Sequence, residues 1–242
     1  LGQMATGVAH ELNQPMTAMQ FEADYLRHLA RQTGEHDQVQ LEAAELMEVG
    51  NDIAADVARC RRIIDHLRTF ARISGGEPVL TNLNEPVERS FALTARELEQ
   101  LDIDVDLQLA PDLPLIMADT NRLEQVFVNL ISNAADAIQE MDRRVASGAV
   151  SRPHDRRQLR VKTVVEDEHV VAVFHDTGCG IAEPNQEHIF EPFFTTKPVG
   201  KGTGLGLSIS HGIVTRFGGQ ITFESEENRG TTFILRFPAV KR

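Results

Sequence analysis

Three stretches of the chain combine residue types and spacings that chemistry can use. The first is VAHELNQPMTA (residues 8–18), where Glu11 follows His10 and Gln14 stands one helical turn further on the same face. A histidine near its ordinary pKa of about 6.5 is largely neutral at pH 7, and one ring nitrogen can act as a nucleophile while the other is hydrogen-bonded. Val8 and Leu12 flank it two residues away on either side, so at about 100° per residue His10 points away from an apolar seam through them. Pro15 removes the helical bond to the Glu11 carbonyl and bends the helix just beyond.

The second stretch lies between Asp119 and Met141. Leu123, Phe127, Leu130, Ala134 and Ala137 step by 4, 3, 4 and 3, and Arg122, Gln125, Asn129, Asn133, Asp136 and Glu140 form the opposite stripe. Asparagine competes for backbone groups and is a poor helix former. At i and i+4, however, Asn129 and Asn133 offer two carbonyl oxygens to one ligand, a donor type that suits Mg²⁺ also holding a triphosphate. Taken alone, the pair fits the polar face of a surface helix more readily.

The third stretch is glycine-rich. In HDTGCGI, Asp176 ends an apolar run, and Gly178 and Gly180 let the chain turn closely against a ligand. A buried carboxylate needs hydrogen-bond donors, and the exocyclic amino group of adenine is one. A simple turn satisfies the same residues. In VGKGTGLGLSIS, Gly202, Gly204 and Gly206 open a helix whose N-H groups and dipole suit phosphate. Neither GxxxxGK[ST] nor GxGxxG is present. Between the two loops runs IFEPFFTTK, in which Phe190, Phe193 and Phe194 are packing anchors of a lid. Lys197 or Lys201 could reach phosphate oxygens, and solvent-exposed lysines fit the pattern equally.

The elements that must position these residues fall into two parts. Leu46, Val49, Ile53, Val57, Cys60, Ile64 and Leu67 recur at helical steps, and Met4, Val8, Leu12, Met16 and Met19 mark an earlier helix. QTGEHD (residues 32–37) separates them. A hairpin of two such helices leaves its seam partly uncovered, which predicts pairing into a dimeric four-helix bundle. After SGGEP (residues 74–78) the pattern is mixed. A half-buried strand is predicted through Ile103, Val105, Leu107 and Leu109, and two hairpin pairs start at Leu159 and His169 and at Gln220 and Thr231. Helices are predicted near residues 85–100, 120–141 and 205–217, packed on one face of a mixed sheet. Residues 142–160 hold six arginines beside Gly, Ser and Pro and are predicted to form a flexible loop.

Composition narrows the possibilities. The 242 residues carry a formal charge of -12, which disfavours non-specific nucleic-acid binding. No apolar run reaches the roughly 20 residues of a membrane span. Two cysteines, Cys60 and Cys179, build neither a disulfide framework nor a four-ligand zinc site and fit a reducing cytosol. Cys179 is expected to be an incidental occupant of its loop, and histidines other than His10 are expected to be structural.

NLISNAADAI, DTGCGI, IFEPFFTTK, GKGTGLGLSIS and the final GTTF, in this order, resemble the N, first-glycine, F, second-glycine and third-glycine boxes of sensor histidine kinases over residues 78–238. HELNQP resembles the H box of the same family, and the set is most similar to its nitrogen-regulatory and dicarboxylate-sensing branch. The resemblance implies an α+β chain with a dimerisation and histidine-phosphotransfer domain over residues 1–76. A GHKL (Bergerat) ATP-binding sandwich would follow over residues 77–242. By the same resemblance, Asn133 binds Mg²⁺, Asn129 lies near the phosphates with Asp136 further along the stripe, Asp176 meets adenine, Thr231 lies close to the base, and Gly204, Leu205, Gly206 and Leu207 cap the triphosphate.

His10 would then accept the γ-phosphoryl of ATP, Glu11 orient or deprotonate it, and an aspartate of a response regulator receive it. Gln14 falls where the family often has Thr or Asn, residues tied to regulator dephosphorylation, and glutamine can also hold water. Asn13 stands where a basic residue is common, which removes an inference about steering phosphates from there. Clamp ATPases of the same superfamily usually carry a general-base Glu four residues before the metal-binding Asn. Here that position is Asn129, which cannot take a proton; a pseudokinase scaffold is the other alternative. A signal input is missing and residue 1 is not Met, so a truncated catalytic core is expected, on the cytoplasmic side of a parent whose anchor in the inner membrane is left open.

Overall fold

The computed structural model describes residues 13, 15–28, 46–54, 56–57, 60, 77–151, 156–197 and 202–240. The chain divides into two compact units, Leu1–Ile73 with Pro192–Leu205, and Ser74–Glu191 with Gly206–Arg242. Among the described residues no helix is long and apolar enough to cross a membrane.

In the first unit, residues 15–28 form helix α1 and residues 46–54 helix α2. Asn13 is already helical, so Pro15 lies within the helical stretch and removes one N-H from its bonding, and the Thr17 hydroxyl donates to the Asn13 carbonyl at 2.7 Å. The described stretches fall within the two predicted helices, while Met4, Val8, Leu12, Ile64 and Leu67 of the predicted stripes lie outside the described residues. The turn at residues 32–37 lies outside the described residues. Met16, Phe21 and Tyr25 of α1, Leu46 and Met47 of α2, and the helical residue Val57 keep large apolar side chains exposed. That is the surface expected of helices whose seam one chain does not cover.

The second unit is built on a five-stranded sheet in the order β2-β4-β5-β7-β6, with a separate pair β1-β3. The elements run β1 (Val79–Thr81), α3 (Asn84–Gln100), β2 (Asp104–Gln108), β3 (Ile116–Ala118), α4 (Thr120–Ala146), β4 (Gln158–Glu166), β5 (His169–Asp176), α5 (Glu183–Gln186), α6 (Gly206–Arg216), β6 (Gln220–Glu226) and β7 (Gly230–Pro238). β2 pairs parallel with β4 because α4 intervenes as a crossover. The remaining pairs are antiparallel, and the two predicted hairpins form with Glu166 opposite His169 and Glu226 opposite Gly230.

Strand alternation turns Leu159, Val161, Val170, Ala172, Phe174, Phe233, Leu235 and Phe237 to one buried face. Onto it α4 lays Leu123, Val126, Phe127, Leu130, Ile131, Ala134, Ala135, Ile138 and Met141. Phe127 stacks on Phe174 with ring centroids 5.2 Å apart. Each such side chain contributes about 1.5–3 kcal/mol by burial, which fixes α4 against the sheet and so sets the direction of its polar stripe. α3 packs on α4, and α6 packs on α4 and β6.

Two readings change. α4 does not stop at Met141 but runs to Ala146, so Arg143 and Arg144 belong to a helix rather than to a flexible loop. Gly148 ends it in a left-handed conformation, with Gly148 N-H donating to the Val145 carbonyl and Ala149 N-H to the Arg144 carbonyl, each at 3.0 Å. At the other end of the predicted loop, Arg160 lies in β4 and pairs with Asp106 at 2.7 Å. The pair β1-β3 is new, since three residues per strand are too few to show alternation.

Candidate nucleotide-binding site

The polar stripe of α4 is the floor of the site. Asp119 caps the helix, its carboxylate accepting from Asn121 N-H at 2.9 Å and Arg122 N-H at 3.3 Å. Asn129, Asn133 and Asp136 are all half-buried, so the stripe is recessed rather than a fully solvated face. Asn129 is fixed: its Nδ2 donates to the Ser210 hydroxyl of α6 at 3.0 Å, and Ser210 is buried. Its oxygen therefore turns to the start of α6, where Gly206 approaches so closely that a Cβ would collide with Oδ1. Leu207 is the next residue of that helix.

At the other end of the stripe stands Asp176, the last residue of β5 and only 4% exposed. Burial pushes its carboxyl up from 3.8 to about 7, with backbone hydrogen bonds from Gly178 and Thr231 opposing the rise. Gly178 N-H donates to Oδ1 at 2.8 Å. The loop then docks on α4, with Cys179 N-H donating to the Ala137 carbonyl at 3.0 Å and Gly178 too close to Ala137 to carry a Cβ. Gly180 is left-handed, with φ of 64°, and stands against the Glu226 carbonyl.

The opposite wall is the β6-β7 turn. Thr231 faces Asp176 in the strand register and is 4% exposed. Its hydroxyl lies 2.9 Å from that of Ser225, which accepts from Ile181 N-H at 2.9 Å. Asn228 N-H donates to the Cys179 carbonyl at 2.7 Å, and Gln186 Nε2 donates to the Ile181 and Ser225 carbonyls at 3.0 and 3.3 Å. Loop and turn are thus interlocked around the buried carboxylate.

The segment before α6 belongs to the first unit. There Phe193 adopts φ of 69° and donates its N-H to the carbonyl of left-handed Gly204 at 2.9 Å. Lys197 N-H donates to the Thr195 hydroxyl at 3.2 Å, and Gly202 lies against Thr195 and Lys197. Leu205 is buried. Phe190, in the second unit, packs between His211 and Phe223, with centroids 5.3 and 6.0 Å away, as expected of an anchor. His10, Glu11, Gln14 and Lys201 lie outside the described residues.

Cys179 N-H binds α4 one helical turn beyond Asn133, and Gly206 meets Asn129 one turn before it. The eight-residue step from Asn129 to Ala137 spans about 12 Å of helix. Along that length one end offers a buried acceptor and the other amide oxygens beside a helix start. These donors fit a nucleoside triphosphate with Mg²⁺: the oxygens are hard, and among the described residues no three of His, Cys, Asp and Glu form a cation cage. A cation here would take most of its ligands from phosphate and water. Sequence reasoning missed Ser210 and Ser225, which hold the site without lining it. Ser210 lies one turn after Gly206, which was the available signal.

Comparison with known proteins agrees with this geometry. Residues 118–241 match the family described as histidine kinase-, DNA gyrase B-, and HSP90-like ATPase, and residues 1–76 match the His Kinase A (phospho-acceptor) domain. The two-component sensor PprA of Pseudomonas aeruginosa is 34% identical over 238 residues, and the sensor kinase CckA of Brucella abortus is 35% identical over 240. Each alignment covers 98% of this chain and 24% of the relative. The sensor histidine kinase ZraS of Escherichia coli is 32% identical over 98% of this chain and 45% of its own length. The chain thus spans from a quarter to under half of these relatives. The solved catalytic domain of histidine kinase ThkA superposes with a TM-score of 0.55 at 30% identity, covering 68% of this chain and 97% of that one. ThkA in complex with the response regulator protein TrrA gives a TM-score of 0.66 at 26% identity, covering 100% of this chain and 63% of that one. With both family models matched and the ATPase-type sandwich formed around α4, the chain belongs to the sensor histidine kinases of two-component systems.

Proposed function

We propose that the chain binds Mg-ATP along α4, transfers the γ-phosphoryl group to His10, and passes it on to an aspartate of a response regulator. The observation that carries this reading is the spacing along α4: the Asp176 loop is anchored at Ala137, the Asn129–Asn133 pair lies next, and Gly206 touches Asn129. Asp176 would accept from the adenine amino group, with Thr231, Gly178 and Gly180 shaping the base pocket. Asn133 would hold the metal, with Asn129 and Asp136 beside it, and Gly202, Gly204, Leu205, Gly206, Leu207, Lys197 and Lys201 would close on the triphosphate. Bound Mg²⁺ supplies charge neutralisation at the phosphates. The chain's own contribution is positioning, through recessed amide oxygens and helix-end N-H groups.

His10 is the acceptor, Glu11 its orienting acid, and Gln14 the residue able to hold water for dephosphorylating the regulator. Residues 1–76 form the dimerising phosphotransfer part and residues 77–242 the ATP-binding part. The uncovered apolar side chains of α1 and α2 support a homodimer through the hairpin, and the ThkA complex supports a response regulator as partner. Asn129 bears on the choice between transfer and hydrolysis. Its Nδ2 is spent on Ser210 and its oxygen is an amide, so it cannot activate water as a general base. Incubation with Mg²⁺ and γ-labelled ATP separates the outcomes. Label retained on the protein supports the kinase, and free phosphate without protein label overturns it in favour of a hydrolytic clamp.

A further inference from the structure

Arg144 lies near the end of α4, two turns beyond Ala137, in the part of the helix past Met141. Its guanidinium is held at both ends. Nε pairs with Glu140 on its own helix at 3.4 Å, and Nη1 reaches the β6-β7 turn, at 3.3 Å from Glu227 and 2.9 Å from Asn228 Oδ1. Asn228 is left-handed, with φ of 63°, and its N-H holds the Cys179 carbonyl at 2.7 Å. Two further approaches lock the turn to the loop, Gly180 against the Glu226 carbonyl and Gly230 against the Asp176 carbonyl. The guanidinium also faces the loop electrostatically. Burial pushes the Cys179 thiol up, Arg144 opposes that rise, and Asp176 and Glu140 add to it.

We propose that Arg144 is a positioning residue for the nucleotide base: by clamping the Glu227–Asn228 turn to α4, it holds the Gly178–Gly180 loop, and with it Asp176, in the geometry that recognises the base. The inference rests on the reading of Asp176 as the base acceptor. Arg144 itself touches none of the residues proposed to meet the nucleotide, only the Glu227–Asn228 turn that backs them. It acts through one side-chain contact to Asn228 and one backbone bond from Asn228 to the loop. Losing the clamp lets the turn and loop separate from α4 without emptying the core, since the Arg144 side chain is one-third exposed.

The test compares wild type, Arg144→Ala, Arg144→Lys, Glu227→Gln and Asp176→Asn, all in a Cys60→Ser background so that Cys179 is the only thiol. Binding of a fluorescent ATP analogue and the rate of Cys179 alkylation by iodoacetamide are measured alongside autophosphorylation. Arg144→Ala is expected to weaken nucleotide binding and raise KM by about three- to tenfold, the worth of one charge-assisted hydrogen bond at a part-exposed site. Turnover at saturating ATP should stay within about twofold, and Cys179 should be alkylated several-fold faster. Arg144→Lys, which keeps the charge, and Glu227→Gln, which leaves the Asn228 contact in place, should move both readouts the same way by less. Unchanged affinity and unchanged Cys179 reactivity in Arg144→Ala overturn the proposal, as does a fall in turnover at constant KM. Should Asp176→Asn bind nucleotide like wild type, the base-acceptor reading itself fails; if only Asp176→Asn loses binding, the failure is confined to Arg144.

Discussion

The amide oxygen of Asn129 occupies the space that a Cβ on Gly206 would need. A helix start and a polar stripe on a different helix are thereby held in direct contact, with Ser210 keeping the Asn129 side chain in register. The contact brings the N-terminus of α6 to Asn129 of α4, where the proposed function places the phosphates.

Gly206→Ala opposes two effects. Alanine favours a helix over glycine by about 1 kcal/mol, while forcing a methyl group into a filled space costs about 1–3 kcal/mol and displaces Asn129 from Ser210 at about 1 kcal/mol more. The clash wins. Urea unfolding should show a protein destabilised by about 1–3 kcal/mol, and nucleotide titration should show affinity lowered by about tenfold or more. A variant as stable and as tight-binding as wild type would remove the contact from the account.

Asp176 makes stability and binding respond oppositely to pH. In the folded chain its carboxyl keeps its proton up to about pH 7, whereas 3.8 is its ordinary value. Between those values the folded state holds a proton that the unfolded state has released, so this group lowers stability as pH rises toward 7 and changes nothing further above it. The size is of order 4 kcal/mol at most. Asp176→Asn should lack this decline, and in thermal melts without nucleotide at pH 5 to 8 it should overtake wild type at the alkaline end. ATP affinity of wild type should rise over the same range, because the ionised acceptor makes the stronger hydrogen bond. Parallel melting profiles for the two proteins would contradict the assignment.

Leu46 and Val57 keep about half of their surface uncovered in a single chain. If the hairpin pairs with a second copy, replacing both with glutamate should convert a dimer to a monomer in sedimentation equilibrium while leaving nucleotide binding within about twofold, since a buried unpaired carboxylate costs several kcal/mol. A wild-type chain that sediments as a monomer at micromolar concentration would rule out the hairpin as the interface.

The legible part of the fold is the part that repeats. The 4-3-4-3 steps of Leu123 to Ala137 predicted α4, and the paired apolar runs from Leu159, His169, Gln220 and Thr231 predicted β4 to β7. Short pieces such as β1 and β3 carry no period. The end of α4 was misplaced because arginines and a following Ser-Gly suggest a loop, although Gly148 was itself the stop signal. In the site, residue types gave Asn129, Asn133, Asp176 and the glycines. The interlock through Ser210, Ser225 and Asn228 was not legible, since it rests on long-range approaches between elements 40 to 90 residues apart.

The most direct test of the central claim is the fate of the γ-phosphoryl group. Wild type, His10→Gln and Asn133→Ala are incubated with Mg²⁺ and γ-labelled ATP, and the protein-bound label is then exposed to acid and to base. The account predicts acid-labile, base-stable label on wild type, as expected of a phosphoramidate, and none on either variant. Label that survives on His10→Gln would contradict it.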